Sequence, residues 1–451
     1  MSEIKAISNF SKFRPIQKGD KKTIRAWVMY DWANSVYQLT ILSVIFPIYY
    51  NSVTSSPNGN VISIFGFDVI NSAAYSWSIS IAYLLVAMFS PLFSAFADYT
   101  GRRKTFMKVF TILGALSVAM LFFFDKQHIQ TGVIFFTLAT LGYGGSLVFY
   151  NSFLPIIAKP EDQDMISARG YSMGYLGAVI LLLFNLVFVL KPELFGITDK
   201  TFPAKLAFVT VGIWWIGFSS WTFLYLPKYT FGHRKKGVNM FFEGYKELQV
   251  VSKQVFASKK MTLYLIGFFF VISGILTVMF MAALFGAKEL GLSDSVLIPV
   301  ILLIQLVAML GAFLSAKLSA RFGNIHTLSG LTIAWILIVI GAYFINGALG
   351  FVIIAFFVGL IMGGSQALTR STFSKMIPAD TKNHTSFFSF YDVMEKLATV
   401  VGTFSFGLIE TLTGSMRTSI VSIISFFLVG LMFFIWLIRT TNKPQLIENK
   451  E

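Results

Sequence analysis

Apolar residues come in long runs along this chain, separated by short polar breaks in which lysine and arginine recur at every second break. A helix needs roughly 20 residues to cross a hydrocarbon core about 30 Å thick. Twelve runs reach that length, near residues 26–50, 73–96, 105–124, 132–155, 168–190, 206–226, 261–286, 296–317, 327–346, 349–373, 385–411 and 417–438. The pattern predicts an all-α integral membrane protein with two six-helix bundles, over 26–226 and 261–438. A tail over 1–25, a central loop over 227–260 and a second tail over 439–451 complete the division.

Composition agrees with the pattern. Of 451 residues, 55% are hydrophobic and 13% charged, too little charge to cover the surface of a water-soluble protein this large. There is no cysteine, which removes disulfides, thiolate metal sites and cysteine nucleophiles together. The four histidines fall at or outside the ends of the apolar runs, and no HExxH, GxxxxGK[ST] or GxSxG pattern occurs. An enzyme, a metal site and a cofactor are therefore not expected. The first apolar run is too long for a signal peptide and lacks a small-x-small cleavage site, so residues 1–25 read as a tail before the first helix.

The formal charge of +15 is arranged by topology. Of the 36 lysines and arginines, 29 fall on the side shared with the N-terminus and 6 on the other, and Lys396, deep within a run, completes the count. The positive-inside rule then places both termini and the central loop in the cytoplasm of a cell whose inner or plasma membrane holds the protein. A basic face of this kind suits anionic lipid headgroups, and no base-stacking module points to nucleic acid.

The two halves echo each other. Gly144-Gly145-Ser146, Ser152 and Pro160-Glu161-Asp162 recur as Gly363-Gly364-Ser365, Ser371 and Pro378-Ala379-Asp380 at nearly constant offset. Parallel repeats of this kind are a mark of secondary transporters with a midplane site between halves. Between the second and third runs stands Ser94-Ala-Phe-Ala-Asp98-Tyr-Thr-Gly101-Arg102-Arg103-Lys104. Asp98 ends a membrane helix, Gly101 permits a tight turn, and the arginines pin the loop to water and lipid phosphate.

That stretch resembles the signature G-x-x-x-D-x-x-G-R-[KR]-[KR] of the major facilitator superfamily, with Ser94 in place of the first glycine. The resemblance implies that Asp98 and Arg102 latch the two halves together on the cytoplasmic side. The second copy, Ala320-Arg321-Phe322-Gly323-Asn324, lacks the aspartate, so a one-sided latch is expected. Tyr30-Asp31-Trp32-Ala33-Asn34-Ser35, Tyr150-Asn151-Ser152-Phe153-Leu154-Pro155 and Ala168-Arg169-Gly170-Tyr171-Ser-Met-Gly174-Tyr175-Leu-Gly177 resemble one branch, the "unknown major facilitator" family. That family is related to vacuolar amino-acid effluxers linked to autophagy. The resemblance implies a permease for small solutes, with amino-acid export as the activity of fungal relatives.

An ionisable side chain at mid-membrane costs at least roughly 2.5–3.5 kcal/mol, so each is a functional candidate. Asp31, Asn34, Ser35 and Gln38 fall at i, i+3, i+4 and i+7, on one helix face. Two readings stand. Asp31 faces the bundle interior, or it is interfacial beside an aromatic belt of Trp27, Tyr30 and Trp32. The eleventh run carries Tyr391, Asp392, Glu395 and Lys396. Asp392 and Lys396 are i, i+4 neighbours able to pair, which leaves Glu395 over and Arg370 within reach of a carboxylate. This cluster is either a neutral structural network or a group that exchanges partners during transport. A buried carboxylate without a permanent partner is what proton coupling requires, and Asp31 and Glu395 are the candidates. Asn151, Tyr175, Asn185, Gln305 and Gln366 either line a cavity or make interhelical contacts.

The expected function is secondary transport by alternating access. The solute is small and polar or zwitterionic, an amino acid among the candidates, with the proton as candidate coupling ion. The alternatives are a lipid- or amphiphile-handling member of the superfamily and a non-transporting membrane sensor or scaffold.

Overall fold

A computed structural model of the chain describes residues 17–55, 61–64, 66–199, 201–228 and 240–441. Most of the N-terminal tail, the Arg234-Lys235-Lys236 cluster and nearly all of the C-terminal tail lie outside the described residues. The first helix starts earlier than its hydropathy suggests. α1 begins at Lys21–Val36, where Asp20 caps it by accepting from the Thr23 N–H at 2.9 Å and the Thr23 hydroxyl at 2.6 Å. These bonds hold the Asp20 carboxyl below its usual range. The helix then widens to π geometry over Tyr37–Val44 and resumes as Ile45–Thr54. Pro47 follows the wide turns and has no N–H to offer the Ser43 carbonyl.

A two-stranded hairpin, β1 Val61–Ile64 and β2 Phe67–Ile70, is antiparallel with Val61 opposite Ile70. It leads into α2 Asn71–Thr100, α3 Arg103–Met120, α4 Ile129–Asn151, α5 Gln163–Leu190 and α6 Phe202–Tyr225. The central stretch expected as a loop contains α7, Met240–Ala257, which buries Val251 and Val255 against α2 and the starts of α8 and α12. Hydropathy alone did not separate this amphipathic helix from its polar surroundings. The second bundle comprises α8 Lys259–Lys288, α9 Asp294–Phe322, α10 Asn324–Phe344, α11 Gly347–Met376, α12 His384–Thr413 and α13 Met416–Thr441.

Among the described residues, eleven spans are long and apolar enough to cross a membrane on composition. α12 completes the twelve. Its charged residues dilute its hydropathy, yet it packs among α2, α8 and α13. Each bundle has its own apolar core, with Trp215, Phe46 and Phe208 in the first and Trp335, Phe268 and Phe427 in the second. The halves meet along α2 with α12 and along α5 with α9 and α11. At the end away from Asp98, Arg417 donates to Glu289 at 2.8 Å and to Asn346 at 3.1 Å, so it ties helices together rather than standing solvated.

Glycine sets the closest approach in the second bundle. A Cβ on Gly363 would strike the Ala308 carbonyl, and one on Gly311 the Leu360 carbonyl. α9 and α11 therefore pack backbone to backbone, as small residues allow in membranes. Gly363→Val forces them apart and is expected to cost about 1–3 kcal/mol of stability. Thermal unfolding in detergent measures this, with Gly330→Ala, whose Cβ would enter open space, as the unaffected control.

Candidate functional site

Between the bundles lies a cavity enclosing roughly 1070 Å³ free of protein atoms, part of it open to solvent. Asp31, Asn34, Ser35 and Gln38 of α1 line it, with Asn151, Tyr175, Gln366, Arg370, Tyr391, Asp392, Glu395 and Lys396. Gln305 is there too, whereas Asn185 is buried elsewhere and accepts from Thr210 at 2.8 Å. Tyr83, Tyr143 and Tyr171 also line the cavity and were not singled out by sequence, because a tyrosine in an apolar run reads equally well as packing. Tyr143 reaches Gln38 Oε1 at 2.9 Å.

Asp31 is 4% exposed, so its side chain faces the interior of the protein. It is not without a partner. Arg370 Nη1 and Nη2 donate to Asp31 Oδ2 at 3.2 and 3.3 Å, and the Tyr150 hydroxyl donates to the same oxygen at 2.6 Å. Arg370 was expected near the eleventh-run carboxylates; instead it crosses between the bundles. Its remaining N–H groups are used by Ser167 Oγ and the Ser167 carbonyl, both at 2.9 Å, and Asn151 Oδ1 lies 3.5 Å away. The guanidinium sits 4.2 Å from the Tyr171 ring centroid and 4.7 Å from that of Trp27. A buried ion pair offsets its desolvation only when hydrogen bonds satisfy the leftover donors, and here they do.

Room for this pair comes from α5. A Cβ on Gly170 would collide with Asp31 Oδ2 and lie 2.9 Å from Arg370 Nη2. Gly174 leaves space for Ser35 Oγ, and a Cβ on Gly177 would lie 2.8 Å from the Trp32 carbonyl. The glycines of α5 and the polar face of α1 are thus two sides of one contact.

On α12, Glu395 is not left over. Lys396 Nζ lies 2.8 Å from Glu395 Oε1 and 3.3 Å from Asp392 Oδ1, so one ammonium serves two carboxylates.

The Asp98 end of the cavity is closed by two sets of polar bonds. Asp98 accepts from the Ser386 N–H at 2.7 Å, the Ser386 hydroxyl at 2.8 Å and the Thr385 N–H at 3.3 Å. These are the free N–H groups and positive dipole end of α12. Gly101, at φ 67°, turns the chain so that α3 starts at once. The partner of Asp98 is Arg103, whose Nε donates at 2.7 Å and whose Nη2 reaches the Lys382 carbonyl. Arg103 is fully buried while Arg102 is exposed, which corrects the role expected for Arg102 and the contact with lipid phosphate expected for Arg103. Chain direction alone does not say which of two adjacent arginines turns inward.

The second half has a latch after all, with its carboxylate on the opposite partner. Asp164, near the start of α5, accepts from Lys375 Nζ at 2.7 Å and from Ser319 Oγ and Asn324 Nδ2 at 2.8 Å. The expected one-sided latch overlooked this because the acid lies on the facing half. Tyr175 donates to Gln366 across the same plane. Among the described residues, the polar bonds between halves found here all lie from Tyr175 toward the Asp98 end.

Two six-helix halves around a central polar cavity are the fold of the major facilitator superfamily of transporters. The backbone here matches that of FucP in the outward conformation with a TM-score of 0.68 at 12% identity, covering 93% of this chain and 99% of that one. The proton:xylose symporter XylE matches at 0.69 and 13% identity, covering 93% and 95%. More narrowly, the chain belongs to the family described as "Vacuole effluxer Atg22 like", whose model matches residues 19–445. It is 29% identical over 427 residues to the uncharacterized MFS-type transporter YxiO of Bacillus subtilis (strain 168), covering 93% of this chain and 96% of that one. Autophagy-related protein 22 of Vanderwaltozyma polyspora is 24% identical, covering 96% and 94%.

Removing the Asp98 charge leaves the α12 N-terminus with weaker acceptors, at about 1.5–3 kcal/mol for a hydrogen bond to a charged group. Asp98→Asn is expected to open the closed end. The absence of native cysteine makes single-cysteine labelling clean. A Ser371→Cys reporter, at a fully buried position, is expected to react roughly tenfold faster or more with a thiol reagent in the Asp98→Asn background. An unchanged rate counts against a latch at Asp98.

Proposed function

We propose that the protein is a secondary active transporter that carries a small polar or zwitterionic solute by alternating access, with an amino acid as the favoured substrate and the proton as coupling ion. One observation carries the reading. A single cavity presents an anionic side chain of the first half and both cationic and anionic ones of the second, and the bonds that close it lie at one end. A zwitterion has a group for each sign of charge, and rocking of the halves would break those bonds while forming others at the far end. The family description, "Vacuole effluxer", favours export. An amphiphile carrier would want an apolar lining, so the five charged side chains around the cavity argue against it.

The lysine and arginine asymmetry supports cytoplasmic termini in a cell membrane, and on that reading the closed end faces the cytoplasm.

Two measurements test the proposal. A melting-temperature screen over amino acids, sugars and nucleosides reads binding directly, since a solute at 100 times its Kd adds about 2.7 kcal/mol. Amino acids are expected to shift the transition, and a screen in which nothing does speaks for a scaffold. In proteoliposomes, Glu395→Gln is expected to abolish transport driven by a pH gradient while exchange partly survives. Gradient-driven transport at the wild-type rate would remove Glu395 from the coupling role.

A further inference from the structure

The charged lining of the cavity does not balance. Three carboxylates, Asp31, Asp392 and Glu395, face two cations, Arg370 and Lys396. Asp31 and Arg370 close on one another, with Tyr150 and Ser167 completing their bonds. The deficit therefore falls on α12, where Asp392 and Glu395 share the Lys396 ammonium. Their surroundings differ. Asp392 has a side chain 3% exposed, and its Oδ2 meets no donor. Glu395 is 26% exposed and faces the cavity. A buried charged acceptor without a donor is among the costlier arrangements a protein can hold.

Among the described residues, none around the triad supplies the missing charge. α2 presents Tyr83, whose ring centroid lies 5.4 Å from Lys396 Nζ, and α4 presents Tyr143 beside Gly144. α5 presents Tyr171, already beneath Arg370, and α11 presents Arg370, already held by Asp31. Tyr264 of α8 is bonded to the Thr369 carbonyl at 2.7 Å, and Tyr391 of α12 lies 3.3 Å from Thr369 Oγ1. α13 carries Arg417 and Arg439 at its two ends only.

We infer that Asp392, Glu395 and Lys396 form the coupling site, and that their missing positive charge is supplied alternately by a proton on Asp392 and by the ammonium group of an amine-bearing solute on Glu395. Lys396 makes the exchange possible. Its ammonium stands 2.8 Å from one carboxylate and 3.3 Å from the other, so a shift of a few tenths of an ångström changes which it serves. With no solute present, Lys396 neutralises Glu395, and Asp392 keeps a proton on Oδ2. When a solute ammonium docks on Glu395, Lys396 turns to Asp392 and the Asp392 proton leaves through the cavity. One cation enters as one proton departs, which is the logic of exchange. This inference deepens the transport reading and rests on it.

Infrared difference spectroscopy on the full chain in detergent reads the proton without needing transport. Between acidic and neutral pH, the wild type is expected to show the C=O band of one protonated carboxyl group. Asp392→Asn should lose it. Glu395→Gln should lose it as well, although Asp392 is still present, because one carboxylate then faces one ammonium. Glu410→Gln should keep it. Methylammonium chloride, with sodium chloride at equal ionic strength as control, is expected to remove the wild-type band and release about one proton per protein. The inference is overturned by absence of the band in the wild type, by its survival in either triad variant, or by a band that methylammonium leaves intact. A methylammonium-sensitive band in a protein that moves no solute in liposomes would sink the transport proposal and leave the triad standing.

Discussion

The salt bridge between Asp31 and Arg370 ties the two bundles together beside the central cavity. It joins residues 339 positions apart, one from each bundle, and both are almost completely buried. Such a pair exists only if everything near it conforms. α5 must carry glycine at 170, Ser167 must turn both its hydroxyl and its carbonyl toward the guanidinium, and Trp27, Tyr150 and Tyr171 must wall off water. Breaking one member of such a pair costs far more than the pair contributes, because a bare charge is left behind. The two halves are therefore joined beside the cavity by a contact that is all or nothing.

The repeat gives the pair its place. Asn151 and Arg370 stand 219 residues apart, the offset that also relates Ser152 to Ser371, and the two side chains meet across the bundle interface. Equivalent positions on α4 and α11 thus converge near the axis between the halves. One has become a cation and the other a neutral acceptor, so the ancestral symmetry survives in position while the chemistry has diverged. The latches show the same divergence. In one the carboxylate belongs to the last turn of α2, and in the other to α5, the helix that faces the loop after α9.

Much of this was legible from the chain because burial of charge is a local cost that local spacing must answer. Asp31, Asn34, Ser35 and Gln38 had to share a direction, and the eleventh run had to place Asp392, Glu395 and Lys396 inward; all seven line one cavity. Partner choice was not legible. Asp31 gave no sign of Arg370, and Glu395 was set aside for Asp392 although Lys396 lies nearer to Glu395. Pairing depends on the relative height of helices from different halves, which no stretch of sequence records. Asp164 escaped notice for a related reason. An acid at the polar start of a helix looks ordinary until the loop of the other half arrives beside it.

The π stretch in α1 bears on how that helix keeps its two ends in phase. Up to its first turn, the polar positions follow a regular helical repeat that ends at Gln38; above it, Phe46, Tyr49, Tyr50 and Val53 turn into the apolar core. An α-helical wheel drawn through the whole segment would misassign one set or the other, since each residue of slip rotates the face by about 100°. The wide turns act as a spacer that lets one rod answer to two neighbours with different registers. The length of Tyr37–Val44 is thus as much a specification as its side chains, and a residue removed there would dial one end of α1 away from its partners.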